Sequence, residues 1–597
     1  MSAEPDALRI AALLRTARSW VVLDPDPTTR LELTQLADAV ESGAVGFEEL
    51  AALVDGRLAF GTAGLRGPLG AGPRRMNVLV AAQTAAGLAR ALLAEVPDAT
   101  ARGVVVGHDA RHGSVAMASA MCQVLTRHGM PVGLFDDGVP TPLVAATVRA
   151  RSAAGGVVVT ASHNPASDNG IKVYWSDGAQ IAPPIDERIA EQIDRVAAEM
   201  AATVEADPLG GRAAAIRVVL PPGRGAETTN LGTCRVGGPA DAYEEAALAG
   251  RAVAVDPGAG PGASPTVPLA LTSLHGVGAE LLERVLVAAG HTDLHQVVAQ
   301  RDPDPDFPTV AFPNPEEPGT LDMVVDLARS SGCAAALAND PDADRVAVAV
   351  PTADGSWRSL TGDEVGALLC ARGLRRAAAD GVADPLVVTT VVSSQQCAAI
   401  ASAAGAHFAE TLTGFKWLCR PALAHPDWTQ VLAYEEALGY AVGDARDKDG
   451  ITAALAIADL VVELAAVGRT LLDELDALAL AHGVHVTRNG WTPLAPTSPV
   501  GAPGGADDLV ARLVERPPER WGGRAVVDHD RPAPDVLRWW TDDGTRIALR
   551  PSGTEPKLKH YCEAVVDVGP SGDLAASRAL AEERLDAVVA DIERTTA

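Results

Sequence analysis

Residues 155–165 have the sequence GGVVVTASHNP, in which an apolar run ends directly in a polar group, TASHNP, at residues 160–165. The apolar run is typical of a β-strand, and the neighbouring segments alternate between helix-like and strand-like patterns. This alternation predicts an α/β layer with a largely parallel or mixed sheet. Ser162 then follows the carboxyl end of a strand, the edge at which α/β sheets place their chemistry.

The TASHNP segment also fits an ordinary turn between a strand and a loop, because Ser, Asn and Pro all favour turns. A serine hydrolase is disfavoured, since the chain contains no G-x-S-x-G nucleophile elbow. Taken alone, the segment therefore leaves two interpretations of Ser162 open, a turn residue or a reactive hydroxyl.

A second polar segment, NDPDADR at residues 339–345, lies between the apolar runs AAALA and VAVAV. Carboxylates at alternate positions of an extended segment point the same way, so Asp340, Asp342 and Asp344 suit a hard cation such as Mg²⁺. An EF-hand is excluded, because its sixth loop position is Arg345 rather than Gly and its twelfth is Pro351 rather than Glu. Arg345 beside the triplet also favours phosphate.

The chain contains a control for this interpretation. Asp302, Asp304 and Asp306 repeat the same spacing, but prolines separate them and no strand precedes them. We therefore expect this second triplet to be a solvated loop rather than a metal site.

Polar, glycine-containing loops also occur in the last 200 residues. Acids and amides in such loops suit sugar hydroxyls, although surface charge is the simpler interpretation of each one alone. These loops are TGFKW at 413–417, YEEALGY at 434–440 and DKDG at 447–450. In RPSGTEPKLK at 550–559, hydroxyls, backbone N–H groups and two lysines favour a phosphate cradle, with a plain turn as the alternative.

Composition excludes several classes of partner. The chain has 597 residues, enough for several domains, and its net charge of −28 disfavours nucleic acid and anionic membranes, which are bound through Lys and Arg. Acids interrupt the apolar stretches well before ~18 residues, so we expect no membrane span. The seven dispersed cysteines indicate reduced thiols, and no leader pattern opens the chain, so we expect a cytoplasmic protein.

In order and spacing, TASHNP, DPDADR, the EEALGY loop and RPSGTEP resemble the α-D-phosphohexomutase family of phosphoglucomutases and phosphomannomutases, from about residue 55 to residue 597. GTAGLRG at 61–67 is similar to that family's N-terminal active-site turn, and LHGVG at 274–278 to a second-domain turn. The FKW and EEALGY versions resemble the branch that includes phosphopentomutase-type enzymes. Ala437 departs from the Ser that many relatives carry, which leaves the identity of the sugar open.

The resemblance implies an α/β protein of four domains around a central cleft. Three would be α/β sandwich domains with mixed sheets, and the fourth a smaller C-terminal α+β domain. The expected boundaries are 1–55 for an N-terminal helical extension, 56–205 with the phosphoserine loop, 206–352 with the metal-binding loop, 353–470 with the sugar-binding loop and 471–597 with the phosphate-binding loop.

The resemblance also implies a mechanism. A phosphorylated Ser162 gives its phosphoryl group to a sugar phosphate, the resulting bisphosphate turns end for end, and the other phosphoryl group returns to Ser162. Mg²⁺ would be held by Ser162, Asp340, Asp342 and Asp344. Arg66, Arg345 and Lys172 would stabilise the moving group, with Lys172 or His163 relaying the proton. Substrate contacts are expected at Thr62, Thr413, Gly414, Lys416, Glu435, Lys448, Arg550, Ser552, Gly553, Thr554 and Lys559.

The expected activity is a mutase that interconverts hexose 1-phosphate and hexose 6-phosphate, of glucose, mannose or both. A phosphopentomutase acting on ribose or deoxyribose phosphates is the alternative. A metal-dependent sugar phosphatase and a non-catalytic sugar-phosphate-binding protein also stay open. We expect Mg²⁺ as cofactor, a sugar bisphosphate as activator, a small phosphosugar as substrate, no nucleic acid or membrane partner, and a monomer or homodimer.

Overall fold

The computed structural model describes residues 3–61, 64–207, 211–221, 225–233, 238–249, 251, 267–493, 506–551, 557–570 and 572–596. These residues form two compact units. The first unit holds the described residues up to 251 together with 267–349 and 445–458, and the second holds 350–444 and 459–596.

Helices and strands alternate through the first 350 residues. The helices are α1 (Ala3–Leu23), α2 (Pro27–Glu41), α3 (Phe47–Val54), α4 (Val78–Glu95), α5 (Ala99–Arg102), α6 (Ser114–Arg127), α7 (Thr141–Ala150), α8 (Ile185–Ala206), α9 (Gly211–Val219), α10 (Pro239–Ala249), α11 (Ala279–Ala288) and α12 (Asp322–Ser331). The strands are β1 (Leu65–Pro68), β2 (Val104–His108), β3 (Val132–Leu134), β4 (Gly155–Val159), β5 (Asp168–Tyr174), β6 (Thr228–Asn230), β7 (Leu269–Thr272), β8 (Leu294–Gln296), β9 (Ala335–Asn339) and β10 (Val346–Pro351). A short 3₁₀ helix spans Val298–Gln300.

The described residues from 357 onward hold further helices and strands, with β17 to β21 following one another directly. The helices there are α13 (Gly362–Ala379), α14 (Gln396–Ala403), α15 (Phe415–Leu418), α16 (Arg420–Ala424), α17 (Gly450–Ala465), α18 (Leu471–His482), α19 (Ala506–Glu515) and α20 (Leu574–Thr596). The strands are β11 (Trp357–Ser359), β12 (Pro385–Thr390), β13 (His407–Thr411), β14 (Thr429–Glu435), β15 (Gly439–Val442), β16 (Val484–Pro493), β17 (Arg520–Trp521), β18 (Arg524–Ala533), β19 (Val536–Thr541), β20 (Arg546–Pro551) and β21 (Lys557–Val566).

The expected N-terminal helices are present as α1, α2 and α3. They share one apolar core with the first sheet, because Leu13, Leu33 and Leu50 are buried in the same cluster as Leu79 and Leu88 of α4. The helical extension is therefore part of the packed body of the first unit.

The first sheet has the strand order β1-β5-β4-β2-β3-β6 and is mixed. Strands β4, β2, β3 and β6 run parallel to one another, whereas β5 pairs antiparallel with both β4 and β1. The predicted strand before TASHNP is β4, buried along its whole length. The β4–β5 register places Lys172 opposite Val158, so one sheet carries both Lys172 and the loop of Ser162.

The second sheet is also mixed, since β9 lies parallel to β7 and antiparallel to β10. The polar segment 340–345 connects β9 to β10, as the sequence predicts. The LHGVG turn follows β7 and packs against this connection, where a Cβ on Gly276 would lie only 2.3 Å from Pro341 Cα. Gly is therefore required at this close approach of two loops.

The second unit contains two further sheets. One has the order β13-β12-β14-β15 and is mixed, and the other has the antiparallel order β16-β21-β20-β19-β18-β17. The antiparallel sheet packs against α19 and α20 around a core that includes Trp539, Leu549 and Leu585. Mixed sheets in three α/β layers and a smaller C-terminal α+β layer confirm the predicted fold class.

Among the described residues, one helix, α4, is long and apolar enough to cross a membrane by length and composition, with 72% of that window buried inside the protein. A core helix of this kind passes the same test, so α4 is weak evidence for a membrane. The six described cysteines are buried, in keeping with small apolar core residues.

Candidate active site

Ser162 lies in the loop after β4 and is buried, with φ of +52°. Its Oγ donates a hydrogen bond of 2.7 Å to Asp340 Oδ2 and lies 3.2 Å from His163 Nδ1. The left-handed backbone is costly for a residue with a Cβ, so the surrounding contacts must hold the loop in place. The structure thus joins the two segments that the sequence singled out first, 178 residues apart along the chain.

Asp340, Asp342 and Asp344 are each completely buried, and carboxylate oxygens of the three lie within 4.8 Å of one another. Among the described residues, nothing donates a hydrogen bond to Oδ1 of Asp342 or Oδ1 of Asp344. Buried carboxylate oxygens without a donor are what a bound cation would satisfy. The all-oxygen donor set fits a hard divalent cation such as Mg²⁺.

Two lysines contact the triplet. Lys172 Nζ lies 2.6 Å from Asp342 Oδ2 and 2.5 Å from Asp344 Oδ2, and Lys448 Nζ lies 3.2 Å from Asp344 Oδ2. Burial alone would lower the pKa of Lys172, but the two carboxylates raise that pKa above its ordinary value. The Lys172 ammonium is therefore fixed as a positive charge in this arrangement.

His163 has the opposite electrostatic setting. Burial, followed by the nearby charges of Arg345 and Arg66, lowers the pKa of His163 well below its ordinary value. A neutral imidazole beside Ser162 Oγ is able to accept a proton, as a relay requires. Arg66 itself donates to Asn164 Oδ1 at 3.0 Å, and Arg345 donates to Glu316 Oε2 at 3.1 Å.

The second aspartate triplet, Asp302, Asp304 and Asp306, differs from the first in exposure and in hydrogen-bond partners. Asp302 and Asp306 have side chains that are 83% and 74% exposed, and they bind Arg301 and His112. Asp304 Oδ1 accepts from the backbone N–H of Asp306 at 3.0 Å. This loop is solvated, as its sequence predicts.

Arg111 is a site residue that sequence reasoning missed. Its buried guanidinium donates to the carbonyl oxygens of Ser162 at 2.6 Å and Asn164 at 2.5 Å, and to those of Pro165 at 2.7 Å and Asp168 at 3.2 Å. One side chain thus holds the loop in its left-handed form. The signal was present, because Arg111 follows the carboxyl end of β2, the edge that also bears Ser162.

Thr141 was missed as well. Its hydroxyl donates to Asp342 Oδ2 at 2.7 Å and its backbone N–H donates to the carbonyl oxygen of Asp342 at 3.0 Å. Burial raises the pKa of Asp342, but Lys172 and the Thr141 hydroxyl together lower it below the ordinary value. Asp342 is therefore ionised, as a cation ligand must be.

The second unit holds several predicted substrate residues. Arg550 donates to Thr413 Oγ1 at 2.6 Å, and Lys559 on β21 is paired with Arg550 on β20. Gly414 has φ of +103° and is followed by Lys416, whose Nζ lies 5.7 Å from the centre of the Trp417 ring. Glu435 lies at the end of β14. The remaining predicted substrate residues, Thr62, Ser552, Gly553 and Thr554, lie outside the described residues.

Glu436 was not singled out by the sequence. Its Oε2 accepts from Ser393 Oγ at 3.1 Å and from Thr390 Oγ1 at 3.2 Å, at the end of β12. Burial, followed by the charges of Glu435 and Asp363, raises the pKa of Glu436 to about 7. The loop predicted to bind sugar therefore contains a carboxyl group that titrates near neutral pH.

Comparison with family models gives four matches along the chain. They are phosphoglucomutase/phosphomannomutase alpha/beta/alpha domain I at residues 57–200, domain II at 247–355, domain III at 361–479 and the C-terminal domain at 509–580. The matches follow the order that the motifs predict.

Three curated proteins are similar over most of this chain. "Probable phosphoribomutase" of Schizosaccharomyces pombe is 34% identical, covering 91% of this chain and 92% of that protein. Phosphopentomutase of Mus musculus is 32% identical, covering 94% and 92%. "Probable phosphomannomutase" of Haemophilus influenzae is 35% identical, covering 82% and 93%.

Solved structures share the fold at lower identity. A phosphoglucomutase/phosphomannomutase family protein from Burkholderia thailandensis has a TM-score of 0.61 at 20% identity, covering 88% of this chain and 96% of that one. The Paramecium phosphoglucomutase parafusin has a TM-score of 0.62 at 16% identity, covering 91% and 96%.

The aspartate triplet predicts a defined loss of metal binding. Asp342→Asn removes one anionic oxygen while keeping the shape of the side chain, so we expect Mg²⁺ affinity to fall by about 100-fold or more. Isothermal titration calorimetry with Mg²⁺ measures this, and circular dichroism checks that the fold is kept. Asp304→Asn in the solvated triplet is the matched control and should bind Mg²⁺ like the wild type. A large loss of Mg²⁺ affinity in that control would show that the metal binds at the loop of Asp304 instead.

Glu436 predicts a pH-dependent stability. Its folded pKa of about 7 lies above the ordinary value of 4.5, so between these pH values the unfolded chain releases a proton that the folded protein keeps. Stability therefore falls as pH rises through this window and stays lower above it. Between pH 5 and pH 8, the wild type should lose up to about 2 kcal/mol more than Glu436→Gln.

Urea unfolding of both proteins at the two pH values measures this difference. Glu515→Gln, at an exposed acid of the same unit, is the control and should follow the wild type. Parallel pH dependences of wild type and Glu436→Gln would show that folding does not raise the pKa of Glu436.

Proposed function

This chain belongs to the phosphoglucomutase/phosphomannomutase family and is a phosphosugar mutase, and we propose that it interconverts hexose 1-phosphate and hexose 6-phosphate through a phosphoserine at Ser162. The observation that carries the proposal is the 2.7 Å hydrogen bond from Ser162 Oγ to Asp340 in the buried aspartate triplet. A hydroxyl held against a cation-binding cluster is positioned for phosphoryl transfer rather than for a structural turn.

The chemistry needs positioning and charge neutralisation more than covalent activation. A hydroxyl oxygen of the sugar phosphate forms a bond to the phosphorus on Ser162, and the bond from phosphorus to Ser162 Oγ breaks. The hydroxyl proton leaves the sugar, and Ser162 Oγ ends the step protonated, with neutral His163 at 3.2 Å as the relay. Mg²⁺ bound by Asp340, Asp342, Asp344 and Ser162 would neutralise charge on the transferred group.

Positive side chains of this chain do the remaining electrostatic work. The Lys172 ammonium, held by Asp342 and Asp344, is proposed to stabilise the transferred group. Arg66 binds Asn164 of the serine loop, and the charge of Arg345 acts on His163. Glu435 and Lys448 are proposed to hold the sugar in its two orientations. Arg550, Lys559 and the residues of the RPSGTEP loop are proposed to hold the phosphate that does not react.

A second substrate pair, pentose 1-phosphate and pentose 5-phosphate, is favoured by a specific observation. Two of the similar proteins that cover more than nine-tenths of this chain are named for ribose or pentose phosphates. Ala437 in the proposed sugar loop offers no hydroxyl, so one hydrogen-bond partner for a hexose is missing there. The protein named for mannose phosphate supports the hexose pair.

Two accompanying features complete the proposal. A catalytic amount of sugar bisphosphate would prime the enzyme, because an intermediate that escapes leaves Ser162 unphosphorylated. We place the enzyme in the cytoplasm, acting on small phosphosugars as a monomer or homodimer.

Removal of the nucleophile tests the phosphoserine. Ser162→Ala should lower mutase turnover by at least about 10³-fold, because the covalent intermediate cannot form. Ser167→Ala, at an exposed serine in the same loop, is the matched control and should keep wild-type turnover. Labelled sugar bisphosphate shows where the phosphoryl group goes: to Ser162 in a mutase, and to solution in a phosphatase. A protein that binds the label without transferring it is not an enzyme of this kind.

A kinetic panel decides the sugar. We expect the purified enzyme to convert glucose 1-phosphate or mannose 1-phosphate with a higher kcat/KM than ribose 1-phosphate or deoxyribose 1-phosphate. A kcat/KM for either pentose phosphate that exceeds both hexose values would replace the hexose proposal with the pentose pair.

A further inference from the structure

Residues 445–450, here called the Lys448 loop, belong by sequence to the third family match but by packing to the first unit. The loop lies directly on the aspartate connection. A Cβ on Gly450 would be 2.2 Å from the carbonyl oxygen of Arg345, and Gly450 N donates to the carbonyl oxygen of Ala343 at 3.2 Å. The position of Lys448 therefore depends on what holds this loop in the first unit.

Two buried aspartates on either side of Lys448 hold it. Asp447 Oδ2 accepts from Tyr174 Oη at 2.7 Å and from Gln180 Nε2 at 2.8 Å. Asp449 Oδ1 accepts from the backbone N–H groups of Ile451 and Thr452, both at 3.0 Å, at the start of α17. The hydrogen bonds of these two carboxylates thus fix the backbone on both sides of Lys448.

Asp449 also has a hydrogen-bond donor that lies outside the family matches. Tyr243 Oη lies 2.8 Å and 2.7 Å from the two carboxylate oxygens of Asp449 and donates its proton there. Tyr243 is on α10, within residues 201–246, which lie between the first and second matched domains.

Helix α10 is itself anchored to the first unit. Ala240 is completely buried, and Arg284 on α11 binds Glu244 at 2.5 Å and also binds Asp241. An anchored helix delivers a fixed hydroxyl, so the Tyr243–Asp449 contact transmits the position of α10 to the Lys448 loop.

We propose that Tyr243 is a positioning residue that sets the location of the Lys448 ammonium, and thereby the binding of the sugar phosphate. The inference rests on the proposed function for the role of Lys448 toward substrate. Tyr243 Oη orients the Asp449 carboxylate, Asp449 fixes the start of α17, and Lys448 directly precedes Asp449. Without the hydroxyl, the carboxylate loses one of its donors and the ammonium loses its fixed distance to Asp344.

Tyr243→Phe tests the inference by kinetics. The variant should raise KM for the preferred sugar phosphate by about tenfold with a smaller change in kcat, because a buried hydrogen bond to a charged group is lost. In a Lys448→Met background, the same substitution should have no further effect on KM. Glu245→Gln, at an exposed position of α10, is the matched control and should behave like the wild type.

A chemical measurement separates this inference from the proposed function. The chain has only five lysines, so mass spectrometry can follow acetylation of each one. Tyr243→Phe should speed the acetylation of Lys448 several-fold while Lys559 reacts at its wild-type rate. A wild type without mutase activity overturns the proposed function, yet the acetylation rates still decide the inference. Additive kinetics in the double variant, or an unchanged rate at Lys448, would overturn the role of Tyr243.

Discussion

The buried aspartate triplet is the constraint on which the rest of the first unit depends. Three carboxylates within 4.8 Å of one another repel strongly where water is excluded. The ammonium groups of Lys172 and Lys448 offset part of this repulsion. Burial, followed by the charges of Asp342 and Asp344, nevertheless raises the pKa of Asp340 well above its ordinary value. Three carboxylates face two ammonium groups, and a bound cation would add the positive charge that favours the ionised form of all three.

Local sequence was sufficient for features that depend on one strand and its following loop. The apolar run before Ser162 and the runs around Asp340 predict β4, β9 and β10, and the carboxyl edge of each sheet follows from that. The difference between the two aspartate triplets was also predictable, because proline and flanking strands determine burial. The roles of the individual site residues stay predictions, since they concern a reaction rather than a shape.

Long-range pairing could not be predicted from one sequence. Lys172 meets Asp342 across 170 positions because β5 runs antiparallel to β4, and no local pattern states that direction. Arg111 and Tyr243 were missed for the same reason, because the carbonyl and carboxylate groups to which they donate lie far along the chain. Only tertiary distances show that this arginine and this tyrosine hold distant loops in place.

The shared core of the N-terminal helices has a consequence for synthesis. Leu13, Leu33 and Leu50 leave the ribosome before helices α8 and α9, against which α1 packs, and before the strands of the first sheet. Until then, α1, α2 and α3 can pack against one another, but the apolar surface that α1 buries against α8 and α9 stays exposed. Cotranslational folding of this protein therefore begins with a waiting period, in which a chaperone that shields short apolar helices has its greatest effect on yield.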